Sequence, residues 1–235
     1  MSGASNRRTL ARYDGFAEWY DEQLAVPFGA IGGEAAMQLL GAGSGRCLDV
    51  CCGTGVHLDA FARLGWQMTG LDISDDQLRI ARERVANRAI DLIQGDAESL
   101  PFEAESFDAV VSLFSHTDVD DFPAVVCEVA RVLRPGGRFV YVGVHLCFVG
   151  PHSQERDRAV PVLHAGYRAS GRYTDGPGIS PDGLWAKVSG MHVTLGSLIQ
   201  SVLDAALILE RFDEHGDHDY PRSIALRARR PARRE

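Results

Sequence analysis

The sequence predicts an α/β fold, a mostly parallel sheet with helices on both faces, on three observations. Between residues 46 and 144, apolar strand-like runs alternate with amphipathic helix-like stretches, the pattern of a parallel sheet wound by crossover helices. One apolar run ends in two closely spaced glycines, Cys47-Leu48-Asp49-Val50-Cys51-Cys52-Gly53-Thr54-Gly55-Val56-His57, and a helix pattern follows; ligands bind at such strand-to-helix turns. The last two strand-like runs are joined by a short acidic link, residues 213–219, which permits only an antiparallel hairpin.

Each element follows in chain order. Tyr13 to Asp21 is an aromatic-rich amphipathic helix start, read either as a helix packed on the domain or as a flap over a ligand. A second helix over 31–40 leads into the flexible link Gly41-Ala42-Gly43-Ser44-Gly45. Strands are expected at 46–51, 67–71, 90–94, 107–113 and 138–144, and helices at 57–64 and 75–87. The continuous apolar character of 107–113 marks a buried strand. Another helix opens near Pro123, with Asp120 or Asp121 as cap, and runs to Leu133. Arg134-Pro135-Gly136-Gly137 stops it. Residues 146–189 break the rhythm, being rich in Gly, Pro, His and Arg. Loops this long are usually functional lids or disordered, and the aromatics and histidines favour an ordered lid. Leu195, Leu198, Ile199, Val202, Leu203 and Ala206 share one face of a helix over 194–206, and strands at 208–212 and 223–227 close the sheet.

The 235 residues suffice for one large domain. We divide it into a helical cap (10–45), a ligand-binding core (46–145), a lid (146–190) and a C-terminal helix and hairpin (191–235). Apolar and charged contents of 45% and 24% are ordinary for a globular protein. No apolar run reaches the roughly 18 residues of a membrane span, and residues 1–8 lack the apolar core of a secretory signal, so a cytoplasmic location without membrane partners is expected. The five cysteines show no CxxC spacing, so neither a disulfide framework nor a metal site is indicated. A net charge of −8 argues against a nucleic-acid partner. The basic cluster Arg227, Arg229, Arg230, Arg233 and Arg234 reads as a solvated, partly frayed tail.

The glycine turn lacks the third glycine of a dinucleotide fingerprint and the Lys-Ser/Thr pair of a phosphate loop. Asp49 would repel phosphate and suits a cationic or amine-bearing ligand. Asp72, 17 residues beyond Gly55, can accept both hydroxyls of a ribose. Asp96 could accept from an adenine amino group while the Ala97 amide faces a ring nitrogen. An Asp after a strand is commonly a turn residue or cap, but three at three successive strand ends point to a shared ligand.

This arrangement resembles the class I S-adenosylmethionine-dependent methyltransferases, especially the small ones of the ubiquinone/menaquinone-biosynthesis type. The likeness rests on Leu48-Asp49-Val50-Cys51-Cys52-Gly53-Thr54-Gly55, Gly70-Leu71-Asp72-Ile73-Ser74, Gly95-Asp96-Ala97-Glu98-Ser99-Leu100-Pro101-Phe102 with Ser106-Phe107-Asp108, and Arg131-Val132-Leu133-Arg134-Pro135-Gly136-Gly137-Arg138-Phe139. It covers roughly residues 10–145 and resumes near His192. Cys51 stands where the family usually has glycine. The resemblance implies a Rossmann-like, seven-stranded, mostly parallel sheet with the last strand antiparallel. It also implies S-adenosyl-L-methionine along the strand ends, leaving as S-adenosyl-L-homocysteine. Gly53 would lie against the ligand, Asp72 would hold the ribose, Ile73 would pack on the adenine, and Asp96 and Ala97 would read its edge. Asp49 and Leu113 would lie near the methionine part, and Tyr20, Cys51, Gly55 and Gln77 complete the cofactor-binding set.

Methyl transfer from a sulfonium mainly requires alignment and exclusion of water, and a hydroxyl acceptor needs a base. The candidates are His116, followed by Asp118 which could orient it, His145 and His192. For His116 the competing reading is a capped loop. In relatives a His at the place of His192 often faces the acceptor pocket, though capping the next helix fits as well. Phe148, Tyr167, Tyr173 and Trp185 could line an apolar acceptor pocket, and Arg168 and Arg172 could pair with an acidic group or be solvated. The expectation is O- or N-methylation of a small molecule in secondary metabolism. The alternatives are a SAM-binding protein that does not methylate and a nucleic-acid methyltransferase; a homodimer is left open.

Overall fold

The computed structural model describes residues 11–155, 160–217 and 219–233, with side chains throughout except at 24–31. In chain order the elements are α1 (Ala17–Tyr20), continued by a π-helical turn (Asp21–Ala25) into α2 (Val26–Leu40), then β1 (Arg46–Val50), α3 (Leu58–Arg63), β2 (Gln67–Asp72), α4 (Asp75–Arg84) and β3 (Asp91–Gln94). β4 (Phe107–Leu113), a 3₁₀ turn (Ser115–Thr117), α5 (Phe122–Val132) and β5 (Leu133–Val144) complete the core. Then come β6 (Ser153–Gln154), β7 (Val162–Leu163), β8 (Gly171–Tyr173), α6 (Leu184–Val188), β9 (Gly190–His192), α7 (Leu195–Asp204), β10 (Ile208–His215) and β11 (Ser223–Arg229).

The main sheet has seven strands in the order β10-β11-β5-β4-β1-β2-β3. β11 pairs antiparallel with both β10 and β5, while the ladders from β5 to β3 are parallel. This is the predicted fold class, hairpin included. Alternation along the strands builds two cores. Leu48 and Val50, Val110, Phe139 and Tyr141 face α5 and α7. Cys47, Ala109, Val111, Val140 and Val142 face α2 and α3.

The helix starts are set by short polar side chains. Ser74 Oγ accepts from the Gln77 amide, Asp121 Oδ1 from Ala124 and Thr194 Oγ1 from Ser197, each cap contributing about 1 kcal/mol. Arg134-Pro135-Gly136-Gly137 stops α5 as expected, but inside β5: Leu133 pairs with Phe107 and Arg138 with Ala109, so the four residues between form a bulge. The arginine-rich end is no frayed tail among the described residues. Arg227 and Arg229 bind Glu210, and Arg230 and Arg233 bind Glu105; Arg234 lies outside the described residues.

Among the described residues of the 146–190 segment there are two small antiparallel pairs, β6 with β7 and β8 with β9. Arg172 on β8 donates to Asp120 and to the Asp118 carbonyl, which fastens this insertion to the loop after β4. The N-terminal segment is fastened too: Gly15 N–H donates to Asp76, Ser74 Oγ to Asp14, and Arg84 to Asp21. Among the described residues no helix is long and apolar enough to cross a membrane.

Candidate functional site

The C-terminal ends of β1, β2 and β4 open into a groove with two connected parts. A narrow part of about 70 Å³ lies over Leu71, Asp72, Ile73, Asp96 and Ala97. A wider part of about 390 Å³ lies between Asp49, Leu113 and the insertion, where Phe148, Ile179 and Trp185 line it. Both parts are lined by Tyr13, Tyr20, Cys51, Gly53, Leu113, Phe114 and Asp118, so the two adjoin along one channel wall.

The turn after β1 forms the channel floor. Cys51, Gly53 and Gly55 all have positive φ, at 60°, 55° and 74°. At Gly53 a Cβ would come within 2.9 Å of Gln77 Oε1 and push that side chain aside, and the left-handed φ itself favours glycine there. Gly55 does not line the groove: a Cβ there would meet Ala81 and Leu58 at 3.1 Å, so its role is close packing of the turn on α3 and α4. Cys51 takes the left-handed conformation that glycine adopts without strain.

Asp72 ends β2 with both oxygens engaged. Oδ2 accepts from the Gly53 amide at 2.8 Å and Oδ1 from the Ser74 amide at 2.9 Å. Each oxygen keeps a further acceptor site, which suits a pair of vicinal hydroxyls. Burial raises the Asp72 pKa against these backbone bonds. Asp96 Oδ1 accepts from the Glu98 amide at 2.9 Å, so this residue builds its turn as well as lining the narrow part. Gln77 lines the same part with its Oε1 buried and without a hydrogen-bond partner.

The electrostatics of the channel are acidic. Burial, and secondly Asp72, push the Asp49 carboxyl up to about 8. Burial raises Asp118 to about 7, opposed by the hydrogen bond from Tyr13 Oη at 2.9 Å. The Arg12 and Arg222 guanidiniums that reach the channel are paired with Asp120 and Glu155. A cationic ligand would relieve this set of buried carboxyls and a phosphate would oppose it, so the residues fit an adenosyl ligand with a positive sulfur and amine. Among the described residues no group of His, Cys, Asp or Glu is placed to hold a metal ion.

The three histidines singled out as bases lie elsewhere. His116 is fully buried, its Nδ1 against Tyr141 Oη and its Nε2 without a partner. The reason is local: Phe114 turns left-handed, with φ 58°, and the following 3₁₀ turn rolls His116 under the sheet end against Phe122 and Tyr141. Burial, and then His192, lower its pKa to about 3. His145 Nε2 bonds Glu214 at 2.6 Å, and its Nδ1 accepts from the Cys147 amide, so it clamps the hairpin to the strand end. His192 ends β9, its Nε2 bonded to the Tyr167 carbonyl at 2.7 Å, and Thr194, not His192, caps α7. None of the three lines the channel.

Of the aromatics expected around an acceptor, Phe148 and Trp185 line the wide part, whereas Tyr173 sits behind Trp185 and Tyr167 binds the Leu195 amide. Arg172 is spent on Asp120 and Arg168 is exposed. Sequence reasoning missed Asp118 as a channel residue, placing it only beside His116. The aromatic stretch read as a packed helix or a flap lines the channel through Tyr13 and Tyr20, whose rings lie 4.9 Å apart. His57 also lines the wide part, its pKa lowered to about 4 by burial and by Arg84.

Residues 48–141 match the family described as "Methyltransferase domain". Over 110 residues the chain is 43% identical to a demethylmenaquinone methyltransferase of Tropheryma whipplei (strain Twist), a match covering 45% of each protein. Over 104 residues it is 40% identical to a probable phthiotriol/phenolphthiotriol dimycocerosates methyltransferase 2 of Mycobacterium ulcerans, covering 43% of this chain and 40% of that one. The matches thus span less than half the length of these relatives. A structure of an S-adenosylmethionine-dependent methyltransferase from Mesorhizobium loti superposes with a TM-score of 0.70 over 92% of this chain and 99% of that one at 23% identity, a likeness of fold. Together they bear out the resemblance read from the sequence.

Proposed function

We propose, for a chain whose core is that of the class I S-adenosylmethionine-dependent methyltransferases, that it transfers the methyl group of S-adenosyl-L-methionine to a small apolar acceptor. The observation that carries this reading is the adjacency of the two cavities. A narrow acidic slot built on Asp72, Ile73, Asp96 and Ala97 shares seven lining residues with a wider chamber that Phe148, Ile179 and Trp185 line.

In this reading Asp72 takes the ribose hydroxyls, Ile73 and Ala97 border the adenine, and Asp49 faces the amine or the sulfonium. The cofactor supplies the activated methyl group. The chain aligns the acceptor, excludes water under the 13–20 and 146–190 segments, and lowers the cost of desolvating a cation by surrounding it with carboxylates. The relatives named above are a demethylmenaquinone methyltransferase and a probable phthiotriol/phenolphthiotriol dimycocerosates methyltransferase, and the apolar side chains of the chamber are consistent with an acceptor of related character. O- or N-methylation in secondary metabolism, in the cytoplasm, is the narrower form of the proposal.

Calorimetric titration with S-adenosyl-L-methionine, followed by mass spectrometry for products 14 Da heavier in a metabolite panel (one methyl replacing one hydrogen), tests it. Saturable binding with a methylated product is expected. Binding without product from any acceptor would turn the reading towards a SAM-binding protein that does not methylate, and no binding would end it.

A further inference from the structure

Seven residues are needed to describe the neck where the narrow and wide parts of the channel meet, and one of them is a carboxylate. Tyr13, Tyr20, Cys51, Gly53, Leu113, Phe114 and Asp118 line both parts. If the cofactor occupies the narrow part and the acceptor the wide one, their reacting atoms meet at this neck. Burial holds the Tyr13 and Tyr20 phenols and the Cys51 thiol above their usual ranges, so they keep their protons. Asp49 and Glu155, the other carboxyls of the chamber, do not line the narrow part.

We propose that Asp118 is the base that takes the proton released by the acceptor, and that Tyr13 is the residue that positions it. The inference rests on the methyl-transfer reading above. The Asp118 side chain enters the neck because the chain reverses after β4 at the left-handed Phe114 and the 3₁₀ turn Ser115–Thr117. The same reversal buries His116 and leaves Asp118 as the first titratable side chain at the opening. Tyr13 Oη donates to Asp118 Oδ1 at 2.9 Å and the Thr117 side chain also bonds the carboxylate, which together fix its rotamer at the neck. Arg172 binds the Asp118 carbonyl at 2.9 Å, which anchors the backbone without occupying the carboxylate.

The step balances with the acceptor and cofactor alone. A lone pair on the acceptor's oxygen or nitrogen forms the new bond to the methyl carbon as that carbon's bond to sulfur breaks, and the O–H or N–H bonding pair stays on the acceptor atom as its proton leaves. The sulfur keeps the bonding pair and becomes a neutral thioether. The proton passes to Asp118, which changes from carboxylate to carboxylic acid and later returns the proton to water. The net positive charge of the cofactor is thereby matched by the proton released.

The acidity of Asp118 suits this task. Desolvation raises it to about 7, aided by Asp72 and opposed by the Tyr13 hydroxyl, by Arg172 and by Thr117. Tyr20, Cys51, Tyr141 and Tyr173 also face it, all as neutral groups whose own acidities it weakens. A base with a pKa near the working pH is the efficient one.

The test compares wild type, Asp118→Asn and Tyr13→Phe in three measurements. The first is calorimetric binding of S-adenosyl-L-methionine. The second is the pH dependence of methylation of a panel of apolar aromatic alcohols and amines. The third is the carboxyl titration of the ligand-free protein, followed by ¹³C NMR with labelled aspartate, where the Asp118 signal is the one missing from Asp118→Asn. We expect Asp118→Asn to bind the cofactor within about threefold of wild type and to methylate roughly 10²–10⁴-fold more slowly, without the acidic limb of the rate profile. Tyr13→Phe should move that limb and the Asp118 titration to higher pH, because a bond that favours the charged form is lost. A loss below threefold in Asp118→Asn, an unmoved acidic limb, or a loss of cofactor affinity that accounts for the whole rate loss would overturn the assignment. So would an Asp118 titration below about pH 5, read without any ligand. A wild type that binds cofactor yet methylates no panel member excludes a proton-bearing aromatic acceptor and overturns it too. A wild type that binds no S-adenosyl-L-methionine overturns the methyl-transfer reading itself, which the ligand-free titration distinguishes from failure at Asp118.

Discussion

Asp72 Oδ2 accepts the Gly53 amide at 2.8 Å, so the carboxylate ending β2 holds the glycine turn ending β1. Cys52 N–H completes the junction by donating to the Leu71 carbonyl at 2.9 Å. The residue read as the ribose ligand is therefore also the brace of the channel floor.

Replacing Asp72 with Ala removes a charge-assisted acceptor from two backbone amides and from the cofactor's hydroxyls. Affinity for S-adenosyl-L-methionine should fall by about 1–3 kcal/mol, a factor of roughly 5–150. Calorimetry gives the number, and an affinity within twofold of wild type would remove Asp72 from the ribose site.

Asp49 carries a pKa raised from 3.8 to about 8, and the sign of its effect is determined. Between these values the unfolded chain is ionised while the folded carboxyl stays protonated. Stability therefore declines as pH rises from about 4 to about 8, by at most about 1.4 kcal/mol per pH unit. Asp49→Asn should flatten that decline in denaturant titrations. It should also abolish the gain in cofactor affinity that wild type shows as pH rises towards 8, since a cation prefers the ionised carboxylate.

His116 behaves in the opposite sense. Its pKa falls from 6.5 to about 3 in the folded state, so the unfolded chain takes up a proton that the native one refuses. Stability is lost as pH drops from about 6.5 towards 3, by up to about 1.4 kcal/mol per unit. His116→Gln should remove this acid sensitivity and alter turnover by less than about threefold once the variant is fully folded; a hundredfold loss of turnover would return His116 to the chemistry.

Cys51 sits at φ 60°. Cys51→Gly relieves roughly 1–2 kcal/mol of left-handed strain. It loses a comparable amount in thiol packing and unfolded-chain entropy. Thermal or denaturant unfolding should therefore place it within about 1 kcal/mol of wild type. Cys51→Val puts a β-branched side chain in the same conformation, a true outlier, and should cost more than about 2 kcal/mol.

The strands were legible in the sequence because runs such as Phe107-Asp108-Ala109-Val110-Val111-Ser112-Leu113 are buried on both faces and need no partner to be recognised. The hairpin was legible because its link is too short for a crossover. The carboxylates at 49, 72 and 96 were legible because strand ends are fixed points of the fold. The histidines were not. Their placement depends on single backbone turns: the left-handed Phe114 decides that His116 goes inward and Asp118 outward, and no local pattern marks a non-glycine residue for that conformation. The insertion was legible only as irregular, since its strands of two or three residues are too short to show a period. The arginine tail was misread because its partners, Glu210 and Glu105, come from distant parts of the chain.

Asp120 Oδ1 receives both the Arg12 guanidinium at 2.9 Å and the Arg172 guanidinium at 2.6 Å. One oxygen thus fastens the N-terminal segment over the narrow slot and the insertion over the wide chamber. Asp120 is 44% exposed on its side chain, so each bond contributes about 0–1 kcal/mol and dissolved ions weaken both. Ionic strength therefore acts on the two ties together, whereas Arg12→Ala or Arg172→Ala removes one of them and leaves the other in place.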